Sequence, residues 1–469
     1  MSSPPAPLPR EPLNDVPPNV LHTPPTPDSS PSFKRTKTLT NLISEEKLVP
    51  SLDDNFNKPS SSISSLRLFS QLGYHKSITE FYTRHTRGEA LLIASSENCY
   101  EQTNSTPFCI RSFGHSSKVA VGNEEGDVLI FDSGFTSSEA GRLRGLRQCI
   151  RKPHSTAVKD LSISRSDNVL VSIGGDCRLQ LFDLNRKQHL GTSQTGSCNK
   201  VQFHPHTPDR LLTCDRLGTL TIHDLRCSSQ DAAHITQNEI PSSHYDKTGK
   251  LLQKTRTGVT SIAWCDDTRF ASCCETNSEI RLWDTRYLKK NVIAPFVQKS
   301  SIPRSHKRLR DFGMVSLTFD SQDNKFWALC KDGHVYSYYA ENLDAGICDD
   351  LTCPEMDIKD FYPNVSVINP IEGSNEGSYI AATGTGKSAV LFPKPSRNQS
   401  ILAPPVFLNN GHCDNVGALI QQKYSGRLAS IADDCTVRFW SFNEQLIEDV
   451  KGSTANMFSG WAEESSSQT

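Results

Sequence analysis

Two sets of residues in this chain have the types and spacing that chemistry requires. The run AATGTGKSAV at 381–390 contains Gly386-Lys387-Ser388, the ending of a phosphate-binding loop. Such a loop also needs a glycine five positions before Gly386 and a helix behind it, so that backbone amides at the helix N-terminus converge on the phosphates. Position 381 is Ala381, and Val390, Leu391 and Phe392 continue as a β-type run. The glycines therefore read as a hairpin turn, and no nucleotide is expected at Lys387. No nucleophile elbow, HExxH pair or carboxylate constellation is found, and the 14 His fall mainly at loop positions. The 15 Cys contain no C-x-x-C pair, and adjacent Cys273 and Cys274 should face opposite sides of a strand. Reduced, mostly buried thiols are expected, with no metal and no other cofactor. The chain is not read as an enzyme.

The second set is suited to recognition. Trp283-Asp284-Thr285-Arg286 is echoed by His223-Asp224-Leu225-Arg226, each placing an arginine two residues beyond an aspartate. At the end of a strand the aspartate can fix the turn while the arginine offers a planar donor fork to a partner carboxylate. Asp-x-Arg after a strand is also a common structural feature. The densest basic run, Arg304, Lys307, Arg308 and Arg310, should lie in a loop able to meet an acidic or phosphorylated substrate. A solvated loop or a nuclear import signal would look the same. The insertion from about 227 to 258, with Lys247, Lys250, Lys254 and Arg256, raises the same question.

The elements that must position these residues recur along the chain. A turn with Gly or Asp, then an alternating strand ending in an aromatic or His, appears seven times. The copies are EEGDVLIFD, GDCRLQLFD, RLGTLTIHD, NSEIRLWD, KDGHVYSYY, GKSAVLF and DDCTVRFWS, spread from Asp132 to Ser441. A spacing of roughly 40 to 60 residues is that of WD repeats with loop insertions. The second copy supplies four period-2 runs, VKDLSIS, VLVSIGG, RLQLFDL and HLGTSQT, enough for one four-stranded blade. The expected fold is thus all-β, a seven-bladed WD-repeat β-propeller with a disordered N-terminal tail. In WD repeats a His before the first strand ties to an Asp before the third. His154 with Asp176, and His412 with Asp433 or Asp434, resemble that pair, and Trp440 completes the last copy. A ring must close, and LLIASS near 91–96 is expected to complete the seventh blade.

Outside the repeats, residues 1–62 are Pro/Ser-rich and cannot bury enough apolar surface to order themselves. Ser3, Thr23, Thr26 and Ser30 each precede Pro there and could accept phosphate beside Lys34, Arg35 and Lys37. Residues 63–90 read as a short helical or extended docking segment, 91–452 as the propeller and 453–469 as a second disordered tail. Formal net charge is −2, so the electrostatic drive for direct nucleic-acid binding is missing. No stretch is long and apolar enough to span a membrane and the start lacks a signal core, so an intracellular, soluble protein is expected.

With these residues in view, the sequence resembles the denticleless family of WD-repeat substrate receptors of the cullin 4 RING ubiquitin ligase. The resemblance rests on VAVGNEEGDVLIFD, HSTAVKDLSISRSDNVLVSIGGDCRLQLFDL, LGTLTIHDLRC and EIRLWDTR, and runs more weakly through FYPNVSVINP and GHCDNVGALI. It implies a non-catalytic subunit, nuclear, that docks on the damaged-DNA-binding adaptor and brings clamp-bound replication proteins to the ligase during S phase and after DNA damage. Those substrates include a replication licensing factor, ribonucleotide reductase or cell-cycle inhibitors. It implies Arg286 and Arg226 as adaptor contacts, supported by Asp284, Asp224 and Trp283. The first box departs from the pattern with His223 in place of Trp, and the long tail of larger members is missing, which puts direct clamp binding in doubt. A WD-repeat scaffold or histone-binding chromatin protein is the alternative reading.

Overall fold

The computed structural model describes residues 86–464 except 93, 96–102, 134–145, 227–235, 247–254, 277, 289–295, 304–311, 360–361, 370–377, 396–403, 410–411 and 443–458. The Pro/Ser-rich tail, its Ser-Pro and Thr-Pro steps, and the segment read as helical before residue 86 lie outside these residues.

The chain folds as a seven-bladed β-propeller. Each blade is an antiparallel sheet whose strands we letter a to d from the axis outward. Blade 1 uses Pro107–Ser112, Lys118–Asn123, Val128–Asp132 and Leu146–Ile150. Blade 2 uses Val158–Ile163, Val169–Gly174, Arg178–Asp183 and Gln188–Gln194, the four runs expected from its sequence. Blade 3 uses Cys198–Phe203, Arg210–Asp215, Leu220–Asp224 and Thr236–Ile240, and blade 4 Val259–Trp264, Arg269–Cys274, Arg281–Asp284 and Gln298–Lys299. Blade 5 uses Met314–Asp320, Lys325–Cys330, His334–Tyr339 and Asp349–Thr352, and blade 6 Val365–Ile368, Tyr379–Thr385, Ser388–Pro393 and Val406–Asn409. Blade 7 takes a to c from Val416–Gln421, Leu428–Ala432 and Thr436–Phe442. All seven recurring units are strand c of successive blades.

Both faces of a blade pack on neighbours, so its inner strands are buried on both sides and read as unbroken apolar runs. Every residue of Val169–Gly174 and of Lys325–Cys330 is buried, whereas the outer strand Gln188–Gln194 begins exposed. The described core divides into seven apolar clusters, each drawn from two adjacent blades. Burial at roughly 25 cal/mol per Å2 of apolar surface therefore acts between blades, and a single blade has no core of its own. Cys273 and Cys274 are both fully buried. Burial pushes the Cys273 thiol up to about 12, which keeps it protonated and inert. Tight b–c turns demand left-handed backbone: Gly126 has φ of 92°, and a Cβ there would meet the His154 carbonyl at 2.2 Å.

Ring closure differs from the sequence expectation at both ends. Strand d of blade 7 is Thr86–Leu92, paired with the whole of strand c from Thr86↔Phe442 to Leu92↔Thr436. The closing strand thus begins within the segment read as a docking element and ends where the expected 91–96 run begins. Ser459–Glu464, within the expected C-terminal tail, is also a strand. It lies between strand d of blade 6 and the closing strand of blade 7, with Val406↔Glu464 on one side and Gly88↔Gly460 on the other. Two outer edges with open N–H and C=O groups are natural partners for one more strand. On the other side of blade 7, Gln422 bonds the Ser133 hydroxyl at 2.8 Å and Arg427 the Ser133 carbonyl at 2.5 Å, tying it to blade 1.

Near the axis, neighbouring a strands share a buried charge network that no sequence pattern announces. Asp160, fully buried, accepts from Arg111 of blade 1 at 2.6 Å and from the Val201 N–H of blade 3 at 3.0 Å. Lys200 stands 3.8 Å away.

Candidate functional site

The two ends of the ring carry different chemistry, because strand a begins at one end and strand c finishes at the other. At the first end, where strands b and c turn, histidines enter from the loops preceding strand a. His154 Nδ1 meets Asp176 at 3.0 Å and its Nε2 meets the Ser172 hydroxyl at 2.8 Å. His412 repeats this with Asp434 at 3.0 Å and Ser430 at 2.7 Å, and Trp440 donates to the same Ser430 at 2.9 Å. Of the two aspartates considered for His412, the bond goes to Asp434. Burial lowers the pKa of both histidines, opposed by their aspartates. Burial raises the Asp434 carboxyl more than any single contact lowers it, but His412, Thr436 and the Cys413 N–H together outweigh it and bring it down to about 2.

Blade 4 contains a third histidine of this kind that the sequence reading passed over. His244 Nε2 meets Ser272 at 2.8 Å, and Trp283 donates to Ser272 at 2.9 Å. His154 and His412 are buried inside their blades with both ring nitrogens engaged, which makes them struts holding loops. The third, His244, is bonded through Nε2, and its buried Nδ1 has no partner among the described residues. The run at Arg304, Lys307, Arg308 and Arg310 lies outside the described residues. Its flanks, Ser300 and Phe312, place the base of that loop at this end, where Ser278 of the blade 4 turn donates to the Phe312 carbonyl. Lys387 is exposed in the hairpin between Tyr379–Thr385 and Ser388–Pro393, with Gly386 at φ of 73°, so the glycines of AATGTGKSAV do form a turn between strands.

At the opposite end, strand c of blades 3 and 4 finishes in two nearly superimposable arrangements. Asp284, 3% exposed, accepts the Arg286 backbone N–H at 2.9 Å, while the Arg286 guanidinium returns to the same carboxylate at 3.0 and 2.6 Å. Asp224, 2% exposed, accepts the Arg226 N–H at 2.9 Å and its guanidinium at 3.0 and 2.7 Å. The fork expected to reach outward is thus partly engaged by its own aspartate. That fixes its direction, and the two arginine side chains remain 63% and 50% exposed, Arg226 also standing 3.9 Å from Asp209. Hydrogen bonds from Arg286 and Arg226 hold both carboxyls below the usual aspartate range.

What lies behind each aspartate differs. Trp283, 1% exposed, stacks along Phe270 and meets Phe296 edge-on. His223 occupies the same position in blade 3, and its Nε2 bonds the Thr213 hydroxyl at 2.9 Å, as Trp283 bonds Ser272. Burial without a charged partner lowers its pKa to about 4, so it is neutral and acts as a small polar substitute for tryptophan. The a–b turns of the same face are linked from blade to blade. Asp167 accepts the N–H groups of Gly114 and His115 at 2.7 Å, Arg165 meets His206 at 3.1 Å, and His206 stands 3.6 Å from Asp267. The two arginines therefore project from a braced surface.

Comparison with known proteins agrees with this architecture. A family model described as WD domain, G-beta repeat matches residues 247–284, the span that carries Trp283 and Asp284. The chain is 26% identical to Cell division cycle protein cdt2 of Schizosaccharomyces pombe, covering 92% of this chain and 91% of that protein. It is 25% identical to Denticleless protein homolog B of Xenopus laevis over 74% of this chain, and to Denticleless protein homolog of Danio rerio over 72%. The match spans only about half the length of those two relatives, 49% and 52%. Among solved structures, the β-propeller domain of Cps50 (Swd1) from Myceliophteria_thermophila superposes with a TM-score of 0.55 at 14% identity, covering 76% of this chain and all of that one, a likeness of fold.

Proposed function

We propose that this chain, a WD-repeat protein of the denticleless family, is a non-catalytic substrate receptor of a cullin 4 RING ubiquitin ligase. The observation that carries this reading is the pair of braced Asp–Arg forks, Asp224–Arg226 and Asp284–Arg286, on adjacent blades of one face. Two planar donors, each aimed by its own aspartate, suit the carboxylates of a large protein partner. In this reading they meet the damaged-DNA-binding adaptor, and the end framed by His154, His412 and the loop carrying Arg304, Lys307, Arg308 and Arg310 faces substrate. The substrates are replication licensing and cell-cycle inhibitor proteins carried by the sliding clamp on DNA, and the site of action is the nucleus. The receptor makes no bond itself. It raises the effective concentration of substrate lysines near the ligase's conjugating enzyme.

The test is capture of purified adaptor by the wild-type chain and by the Arg226→Ala/Arg286→Ala double variant. The double variant should lose adaptor binding while its melting midpoint stays near wild type. Equal capture by the two folded proteins would overturn the reading, as would failure of the wild type to bind adaptor.

A further inference from the structure

The arginine-bearing face continues beyond blade 4 into a cavity that the Asp–Arg forks do not use. Lys325 opens strand b of blade 5, Tyr339 closes its strand c, Ala345 ends the short 3-10 turn Leu343–Ala345, and Asp349 opens strand d. All are at the same end of the blade as Asp284 is in blade 4. Together with Ile347, and with Pro395 just after strand c of blade 6, they line a cavity of about 350 Å3. That is the lower range of small ligand pockets and ample for one large side chain.

The lining decides what fits. The Lys325 ammonium is already matched by Asp349 at 2.7 Å and lies 5.2 Å from the centre of the Tyr339 ring. Asp349 also accepts from the Ser337 hydroxyl at 2.5 Å. The charges are balanced inside the wall, so an incoming ion gains little. The wall is mixed, with the Lys325–Asp349 pair forming its polar side and the Tyr339 ring, Ala345, Ile347, Cys348 and Pro395 offering the apolar surface a visiting side chain can cover. Two exposed apolar side chains lie on this face between the forks and the cavity. Tyr287, 61% exposed, lies beside the Arg286 guanidinium, and Val297, 47% exposed, stands just before strand d of blade 4, its N–H bonded to the Leu282 carbonyl of strand c. Its neighbour Gln298 accepts from the Leu343 N–H at 3.1 Å and donates to the Glu341 carbonyl at 3.2 Å, joining blade 4 to the rim of the cavity. Tyr339, 38% exposed, lines the cavity itself. Exposed tyrosines and arginines on one face around a cavity are the make-up of an interface centre, where aromatic and Arg anchors carry most of the affinity.

We infer that this cavity between blades 5 and 6 is a second anchor of the adaptor interface, receiving one apolar or aromatic side chain of the protein that engages Arg226 and Arg286. The inference rests on the reading of this face as the adaptor surface. It makes partner choice depend on two chemically different contacts, a carboxylate clamp and an apolar plug, so that a protein offering only acidic groups is rejected.

The experiment titrates purified adaptor against four full-length proteins: wild type, Ala345→Arg, Tyr339→Ala and the Arg226→Ala/Arg286→Ala double variant. Ala345 is exposed, so the arginine fills the cavity from its rim, and Tyr339→Ala removes a wall if the first change disturbs folding. Both single variants should weaken adaptor binding at least tenfold with melting midpoints near wild type. Wild-type affinity in folded Ala345→Arg and Tyr339→Ala, with binding lost in the double arginine variant, would overturn the cavity inference and leave the adaptor reading standing. No binding by wild type would overturn both. Unchanged adaptor affinity in both single variants, with a small apolar probe such as indole stabilising wild type but not Ala345→Arg, would also refute it and assign the cavity to a small molecule.

Discussion

His223 is a buried neutral histidine where the second Asp–x–Arg box places Trp283, and that makes stability depend on pH in a calculable way. Its pKa is about 4 in the folded protein against about 6.5 in an unfolded chain. A group depressed on folding binds its proton in the unfolded state first, so stability is full above the unfolded pKa and falls as pH drops below it. Between pH 7.5 and 5.5 the unfolded state gains RT ln(1 + 10) relative to RT ln(1 + 0.1), while the folded histidine hardly titrates. The loss is about 1.3 kcal/mol from this one residue. The perturbation is His223→Phe combined with Thr213→Val, so that no hydroxyl is left buried without its partner. Urea unfolding of wild type and the double variant at both pH values measures the difference. The variant should lose about 1.3 kcal/mol less than wild type over that interval. Equal pH dependence in the two proteins would show that His223 is protonated or hydrated in the fold, and the substitute-for-tryptophan argument would fail.

Further outcomes follow from the same geometry. Asp284→Ala removes the acceptor of the Arg286 N–H and should cost about 1–2 kcal/mol of stability. It should also weaken adaptor capture although Arg286 remains, because the fork is no longer aimed; paired denaturation and binding curves check both. Lys394→Met leaves Asp320 buried without its cation, since Lys394 sits against Asp320 and lies 2.9 Å from Asp323, and unfolding should be easier by about 3–5 kcal/mol. Trp440→Phe deletes the bond to Ser430, whose hydroxyl keeps His412, so the denaturation midpoint should report a loss of about 1–2 kcal/mol and no more. Millimolar ATP should produce no thermal shift, because Lys387 is in a hairpin and no helix aims amides at a phosphate.

Strand c was the most readable part of the sequence because it concentrates its signals. A turn residue, alternating apolar positions, an aromatic and an aspartate fall within nine residues, and all seven copies proved to be that strand. The Asp–x–Arg boxes were visible for the same reason. His244 was not, and the cause is measurable. His154 and His412 stand 18 residues before their serines, whereas His244 stands 28 before Ser272 because the insertion before blade 4 intervenes. The Arg111–Asp160–Lys200 network and the cavity beside Tyr339 had no local pattern to betray them. Each assembles residues from different blades or loops, which only the closed ring brings together. The outer strands were misplaced at both closures because edge strands carry little apolar patterning, and their partners lie at the far end of the chain.

The seam at blade 7 sets a schedule for making the protein. Thr86–Leu92 is synthesised before any blade, yet its partner Thr436–Phe442 and the bridging strand Ser459–Glu464 come after six blades are complete. Until the ribosome has delivered them, a nascent chain holds an unpaired early strand and an open arc with two exposed ends. Such a chain is the form most exposed to chaperones and to aggregation. The arginine forks of blades 3 and 4 are formed well before that moment, so a partner binding the surface we propose for the adaptor would meet it on an arc not yet closed into a ring.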